Sequence, residues 1–174
     1  MQLVTRGHER VLKARLDDAK FHFNEDRKRS LESRLDDLKK VVFHVLLGTS
    51  HEKVMRTAAL AGYMAEALGL DEQEGDDIVR AAKLAKCDLV TGLVGEFPSL
   101  QGTMGQIYAG LDGESDEVAI AISEHYLPVR AGGELPESDL GAILGLTEKL
   151  ESITGCFGVG LIPSGTQDPY ALRR

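Results

Sequence analysis

The sequence predicts an all-α protein, and two observations carry the prediction. Apolar residues recur at helical spacing along almost the whole chain. Ser and Asp residues suited to N-capping stand before these runs, and Gly or Pro residues stand behind them. The length of 174 residues suits one domain with a real core, and 43% apolar with 28% charged residues is the balance of a globular chain.

Leu12, Leu16, Ala19 and Phe23 predict one buried stripe on a first helix over about 6–28. Ser30 is a candidate cap for a short helix to about Lys40, with Leu31, Leu35 and Leu38 inward. The stretch VVFHVLLGT, 41–49, is β-branched and is expected to be briefly extended before Gly48. Ser50 is the expected cap of a helix to Leu68 that Gly69 ends. Asp71 is expected to open a long helix to about Gly95, closed by Pro98. Helices follow from Ser99 to about Leu111 and from Ser115 to Tyr126. LPVRAGGELPES reads as a loop. A last long helix, from about Ser138 to Phe157, carries Ile143, Leu146, Leu150, Ile153 and Phe157 on one stripe. Asp168 before Pro169 predicts an N-cap with a first-turn proline, opening a helix that would continue beyond Arg174.

Composition narrows the function classes. No apolar run approaches the roughly 20 residues of a membrane span, and MQLVTRGHERVLK turns charged too soon for a signal peptide. Two cysteines, Cys87 and Cys156, make no disulfide framework, which points to a reduced, cytoplasmic setting. The net charge of −8 argues against a naked nucleic-acid binder. The charge is uneven, however. Residues 1–56 hold 13 Lys and Arg against 9 Asp and Glu, and residues 57–174 hold 7 against 19. Either a basic N-terminal face meets an anionic partner, or these are ordinary solvated helix surfaces. RLDDAK at 15–20 and RLDDLK at 34–39 are a single hexapeptide match and do not make a repeat. The glycines of GCFGVG, 155–160, follow a helix rather than a strand, which is the wrong context for a phosphate-binding loop.

The residue that asks for an explanation is Asp88. At mid-helix it shares a face with Ala81, Leu84, Thr91 and Gly92, so its carboxylate is expected to point inward. A buried acid needs a cation or a metal. Lys53, Arg56 and Lys149 are the candidate cations. Glu148, His125, His51 and Lys53 lie on other helices that could share a centre with it. Cys87 is open to two readings, a thiolate ligand or a small buried hydrophobe.

The order of these residues resembles the HD phosphohydrolase fold. In that family a His on the first core helix, an adjacent His-Asp pair and a later Asp bind a divalent metal that activates water against a phosphate ester. Here Asp88 keeps its place. Cys87 stands where the His of the pair belongs, Glu148 stands for the last Asp, and the first His falls near Lys53. The resemblance therefore implies a degenerate centre with no metal and no catalytic residue.

A second, longer resemblance covers almost the whole chain in order. RVLKARLDDAKFHFNEDRK, KKVVFHVLLGT, AKCDLVTGLVGEFPSLQGTMGQIYA, EHYLPVRAGGELP, LTEKL and FGVGLIPSGTQDPYALRR resemble a central part of the bacterial glycyl-tRNA synthetase β subunit. It implies a noncatalytic, HD-domain-like helical bundle with an N-terminal helical arm, supporting tRNA binding and subunit assembly. The implied partners are the α subunit and tRNA-Gly, in a hetero-oligomeric (tetrameric) cytoplasmic ligase, with no membrane contact. ATP and Mg2+ would act on the α subunit, so no cofactor is expected on this segment. The expected division is an arm at 1–48, an HD-like core at 49–157 and a connecting segment at 158–174. Arg6, Arg10, Lys13, Arg27, Lys28 and Arg29 are the candidate contacts to tRNA or a neighbouring domain. The rival readings are a metal-dependent HD-type nucleotide phosphohydrolase and a purely structural spacer.

Overall fold

The structure is a computed structural model that describes residues 2–163 together with 168, 170 and 172. It is predominantly helical, as the sequence predicts. Helix α1 spans Gln2–Asp26, and a 3-10 helix follows at Glu32–Lys40. Strands β1, Val42–His44, and β2, Gly48–Thr49, pair antiparallel with Val42 opposite Thr49. Helices α2 (Ser50–Leu68) and α3 (Glu72–Leu84) pack against one another, and α2 and α6 (Asp116–Glu124) both pack on α7 (Asp139–Gly158). Between α3 and α6 lie a 3-10 turn at Cys87–Val90, the short α4 at Gly92–Glu96, a 3-10 turn at Pro98–Leu100, and α5 at Thr103–Asp112. Among the described residues, no helix is long and apolar enough to cross a membrane.

Several caps form as their residues predict. Asp71 accepts a hydrogen bond from the Glu74 amide while Glu74 reaches back to the Asp71 amide, a reciprocal capping box. Ser115 and Ser138 cap α6 and α7, and Gly69 ends α2 at φ 72°, a left-handed conformation natural to glycine. The cap of α2 moves by one residue. Thr49, not Ser50, takes the extended conformation and shares a capping box with Glu52, because β2 runs directly into the helix.

Three expectations are corrected. The stripe on α1 is buried only at its end: Leu12 is 60% and Leu16 69% exposed, while Ala19 and Phe23 pack on the core. Among the described residues, α1 meets the body through its C-terminal half, from Arg15, whose guanidinium lies 5.2 Å from the Phe97 ring centroid, to Asp26. The long helix expected to Gly95 ends at Leu84. Thr91 turns extended and caps α4 through its hydroxyl, which breaks the helix before Gly92. The helix expected from Ser99 starts at Thr103 instead, behind a 3-10 turn.

The apolar stripe of α7 faces outward. Leu146 is 50% and Phe157 50% exposed, and Leu150 and Ile153 are exposed too, with Ile143 half-buried. The buried face is built on Leu140, Gly141, Leu144, Gly145 and Thr147. Close approach decides this. A Cβ on Gly145 would lie 3.1 Å from the His125 carbonyl oxygen, and one on Gly141 would strike the Glu124 side chain. Small residues let α6 and α7 touch, and that contact outweighs burial of the bulkier stripe. The helix start expected at Asp168 and Pro169 falls partly outside the described residues. Within them, the Asp168 carboxylate accepts a hydrogen bond from the Leu172 amide at 2.9 Å, four residues on, which is one position beyond the amides an N-cap holds.

Candidate functional site: a lysine-rich centre

Asp88 is fully buried, but its partner is not a cation. Its Oδ2 accepts hydrogen bonds from the Gly102 amide (2.6 Å) and the Gly105 amide (3.2 Å), at the N-terminus of α5. Gly102, the residue before α5, has no side chain to cap it, so a carboxylate distant in sequence does the work. Gly105 permits the approach, since a Cβ there would lie 3.3 Å from Asp88 Oδ2 and 2.7 Å from the Ile122 side chain. Burial raises the pKa of Asp88, and the two amides and the nearby Lys86 ammonium oppose that rise. The other oxygen, Oδ1, is buried with no hydrogen-bond partner among the described residues.

The three cations expected to pair with Asp88 are engaged elsewhere. Lys53, on the first turn of α2, donates to Glu151 (2.6 Å) and Ser152 (2.6 Å) and lies 3.2 Å from Glu148. Arg56 donates to Glu151 at 2.8 Å and to the Leu47 carbonyl. Lys149 donates to the carbonyls of His125, Leu127 and Gly145. The expected pairing is therefore wrong. Residues 71–95 are not one rod: the turn at Cys87–Val90 carries Asp88 away from α7 and toward α5.

Lys86 is the residue that sequence reasoning missed. It sits at the kink after α3, 3.6 Å from Glu148 and 2.8 Å from His125 Nε2, with its ammonium 3.9 Å above the Tyr126 ring. His125 Nδ1 lies 2.7 Å from the Ile122 carbonyl, so Nδ1 carries the proton and Nε2 accepts from Lys86. Burial draws Lys86 down to about 8 despite the Glu148 charge. Burial also disfavours a charged Glu148, but Lys86 and Lys53 outweigh it and hold the carboxyl at about 2. The only sequence signal for Lys86 is a cation next to Cys87 and Asp88 within an apolar run.

The positions that the HD resemblance singles out do not converge as ligands. Cys87 is fully buried, its thiol reaches the Lys83 carbonyl at 3.5 Å, and burial followed by the Asp88 charge pushes it up to about 12. It is a thiol, not a thiolate. Asp88 caps α5, and Glu148 faces two ammonium groups. Among the described residues, no three His, Cys, Asp or Glu side chains are grouped to hold an ion. The donor set does not suit a divalent metal, because Lys53 and Lys86 place positive charge where a ligand set needs lone pairs.

His125 gives this centre a pH signature. Burial, then the Lys86 charge, lowers its pKa well below the usual value of 6.5. Protonation would remove the acceptor for Lys86. The unfolded chain takes up this proton below about pH 6.5 and the folded chain does not, so stability is present above that pH and is lost as pH falls. From pH 7.5 to 5.5 His125 should cost about 1.4 kcal/mol, and His125→Gln should remove that slope. Urea unfolding of both proteins at the two pH values checks this. Equal slopes would mean that His125 titrates normally.

The basic residues do not gather at this centre. Arg6, Arg10 and Lys13 are exposed on α1 with no hydrogen bond or ion pair among the described residues. Arg27 lies 5.5 Å from the Phe23 ring centroid, Lys28 pairs with Glu25, and Arg29 pairs with Asp37.

Comparison with known proteins places the chain. The family described as glycyl-tRNA synthetase beta subunit matches residues 1–174. A glycine–tRNA ligase beta subunit of Syntrophotalea carbinolica is 59% identical over 178 residues, covering 100% of this chain and 25% of that protein. Those of Trichlorobacter lovleyi and Neisseria gonorrhoeae are 58% and 53% identical, over 99% and 98% of this chain. The chain spans about a quarter of the length of these relatives. An identity this high along the full length leaves one assignment: the chain belongs to the glycyl-tRNA synthetase beta subunit family.

Proposed function

We propose that this chain is a noncatalytic helical module of a glycine–tRNA ligase β subunit, cytoplasmic, working beside an α subunit in a hetero-oligomer (a tetramer). In the whole enzyme, ATP-dependent charging of tRNA-Gly is carried by the α subunit with ATP and Mg2+, and this module supports tRNA binding and subunit assembly. Its core at 49–157 is an HD-like bundle whose degenerate positions Cys87, Asp88 and Glu148 have structural roles, with an arm at 1–48 and a connecting segment at 158–174. The observation that carries the noncatalytic reading is the pair of ammonium groups, Lys53 and Lys86, beside Glu148.

The arm supplies the surface for the tRNA or assembly role. Arg6, Arg10 and Lys13 lie exposed in the N-terminal half of α1, beyond its first turn, where the helix dipole bears little on them and no carboxylate pairs with them among the described residues. Arg27, Lys28 and Arg29 have partners inside the chain and are weaker candidates. Replacing Arg6, Arg10 and Lys13 with Gln in the whole enzyme should weaken tRNA use or assembly and leave the fold intact. If tRNA phosphates are the partner, the loss shrinks as salt rises, because such contacts act through counterion release. Aminoacylation at two salt concentrations, beside a sizing run, measures both. Unchanged values in both would reduce these three residues to surface decoration.

A further inference from the structure

A cavity of about 480 Å³ opens against the lysine-rich centre, between the end of α6, the middle of α7 and the β1 strand. Its wall includes Lys86, Lys149, Gln101, Tyr126 and Ser152, and its size is that of a small-molecule pocket. From these groups the geometry points to a binding site for a phosphate group, carried by a small phosphorylated molecule or by an RNA backbone.

Charge is the first argument. Among the described residues, the wall and its direct ion-pair partners hold the cations Lys53, Arg56, Lys86 and Lys149 against the carboxylates Glu148 and Glu151. Asp88, hydrogen-bonded to the α5 amides, adds a third negative charge near Lys86, and the cations still outnumber the carboxylates. Glu151 is taken by Lys53 and Arg56, and Glu148 is shared between Lys53 and Lys86. Among the described residues, Lys149 has no carboxylate in hydrogen-bond reach; its ammonium rests on three neutral carbonyls. The cavity wall therefore carries an excess of positive charge in a partly dry setting, where an anion is attracted more strongly than in water.

Donor chemistry is the second. Lys86 meets a neutral imidazole and an aromatic face, with its carboxylate at a long 3.6 Å. The Tyr126 hydroxyl is buried and has no hydrogen-bond partner among the described residues. Burial raises its pKa, so it stays protonated and can donate. Gln101 adds an amide at the rim. Two ammonium groups, a hydroxyl and an amide suit a tetrahedral oxyanion with several acceptor oxygens, and lysine serves phosphate as a point charge.

The test titrates the chain with inorganic phosphate at pH 7 by calorimetry, against chloride at equal ionic strength. Saturable binding in the millimolar range or tighter is expected. Lys86→Met and Lys149→Met should each weaken it about tenfold or more. Gln101→Glu alters only an exposed rim residue and should weaken it similarly, which guards against a folding artefact at the buried lysines. A Lys39→Met/Lys40→Met protein, altered on an exposed surface, should bind as the parent does. Adenosine monophosphate and an RNA hairpin with dephosphorylated ends then compete with phosphate. Displacement by the nucleotide alone assigns a small phosphorylated ligand, and displacement by the hairpin assigns an RNA backbone. No saturable binding up to tens of millimolar, or equal binding by the parent and the three cavity variants, would overturn the site. Neither result depends on aminoacylation, so the outcome is separate from that of the arm variant.

Discussion

Asp26→Ala should cost roughly 3–5 kcal/mol, a large effect for a residue of an otherwise exposed helix. The Asp26 carboxylate accepts from the Gly92 amide (2.8 Å), the Leu93 amide (2.9 Å) and the Tyr108 hydroxyl (3.1 Å). It therefore caps α4 from another element. Buried Arg34 lies 3.5 Å from it and donates to the Asp26 carbonyl at 2.7 Å. Truncation leaves two helix amides and a phenol without their acceptor in a dry setting, and deprives Arg34 of the nearby carboxylate while it keeps the Asp26 carbonyl. Among the described residues α1 is packed through its C-terminal half, so the same change should release the arm. Urea unfolding would read the loss, and proteolysis near Phe23 should accelerate. A cost below about 1 kcal/mol would mean that water replaces the carboxylate freely.

Glu151→Ala should cost roughly 3 kcal/mol, because it strips buried Lys53 of its shortest ion pair and Arg56 of the carboxylate it pairs with among the described residues. Lys53 keeps Glu148 at 3.2 Å, which holds the effect to the lower end for a broken buried pair. Lys53→Met with Glu151→Leu should restore much of the loss, since the orphaned charge is then gone as well. Thermal melts of the single and double variants make the comparison. A double variant no better than Glu151→Ala would mean that the network is needed for shape and not for charge balance.

What could be read from the sequence was local. Asp71, Ser115, Ser138 and Gly69 act within four residues of themselves, and their roles follow from residue type and spacing. Asp26 and Asp88 cap helices that begin 66 and 15 residues further on, and no local pattern marks such partners. Periodicity found the stripe on α7 but assigned it to the core. Inward and outward are decided by what the neighbours offer, and Gly141 and Gly145 won the contact. On α1 the same rule failed because the first turns of the stripe have no neighbour within the described chain. Cys87, Asp88 and Glu148 were recognised as a cluster of positions, yet Lys86, which meets Glu148 and His125, carried no signal beyond its charge.

At this centre the ammonium groups of Lys53 and Lys86 stand beside Glu148, where a metal would need lone pairs. The most direct test is metal content together with stability. The chain, purified without chelator and then exposed to Mn2+ or Zn2+ and desalted, should carry well under one metal ion per molecule. Its melting temperature should be the same with and without chelator. About one tightly held ion per chain, with a melt that falls on chelation and recovers on adding the metal back, would contradict a metal-free centre.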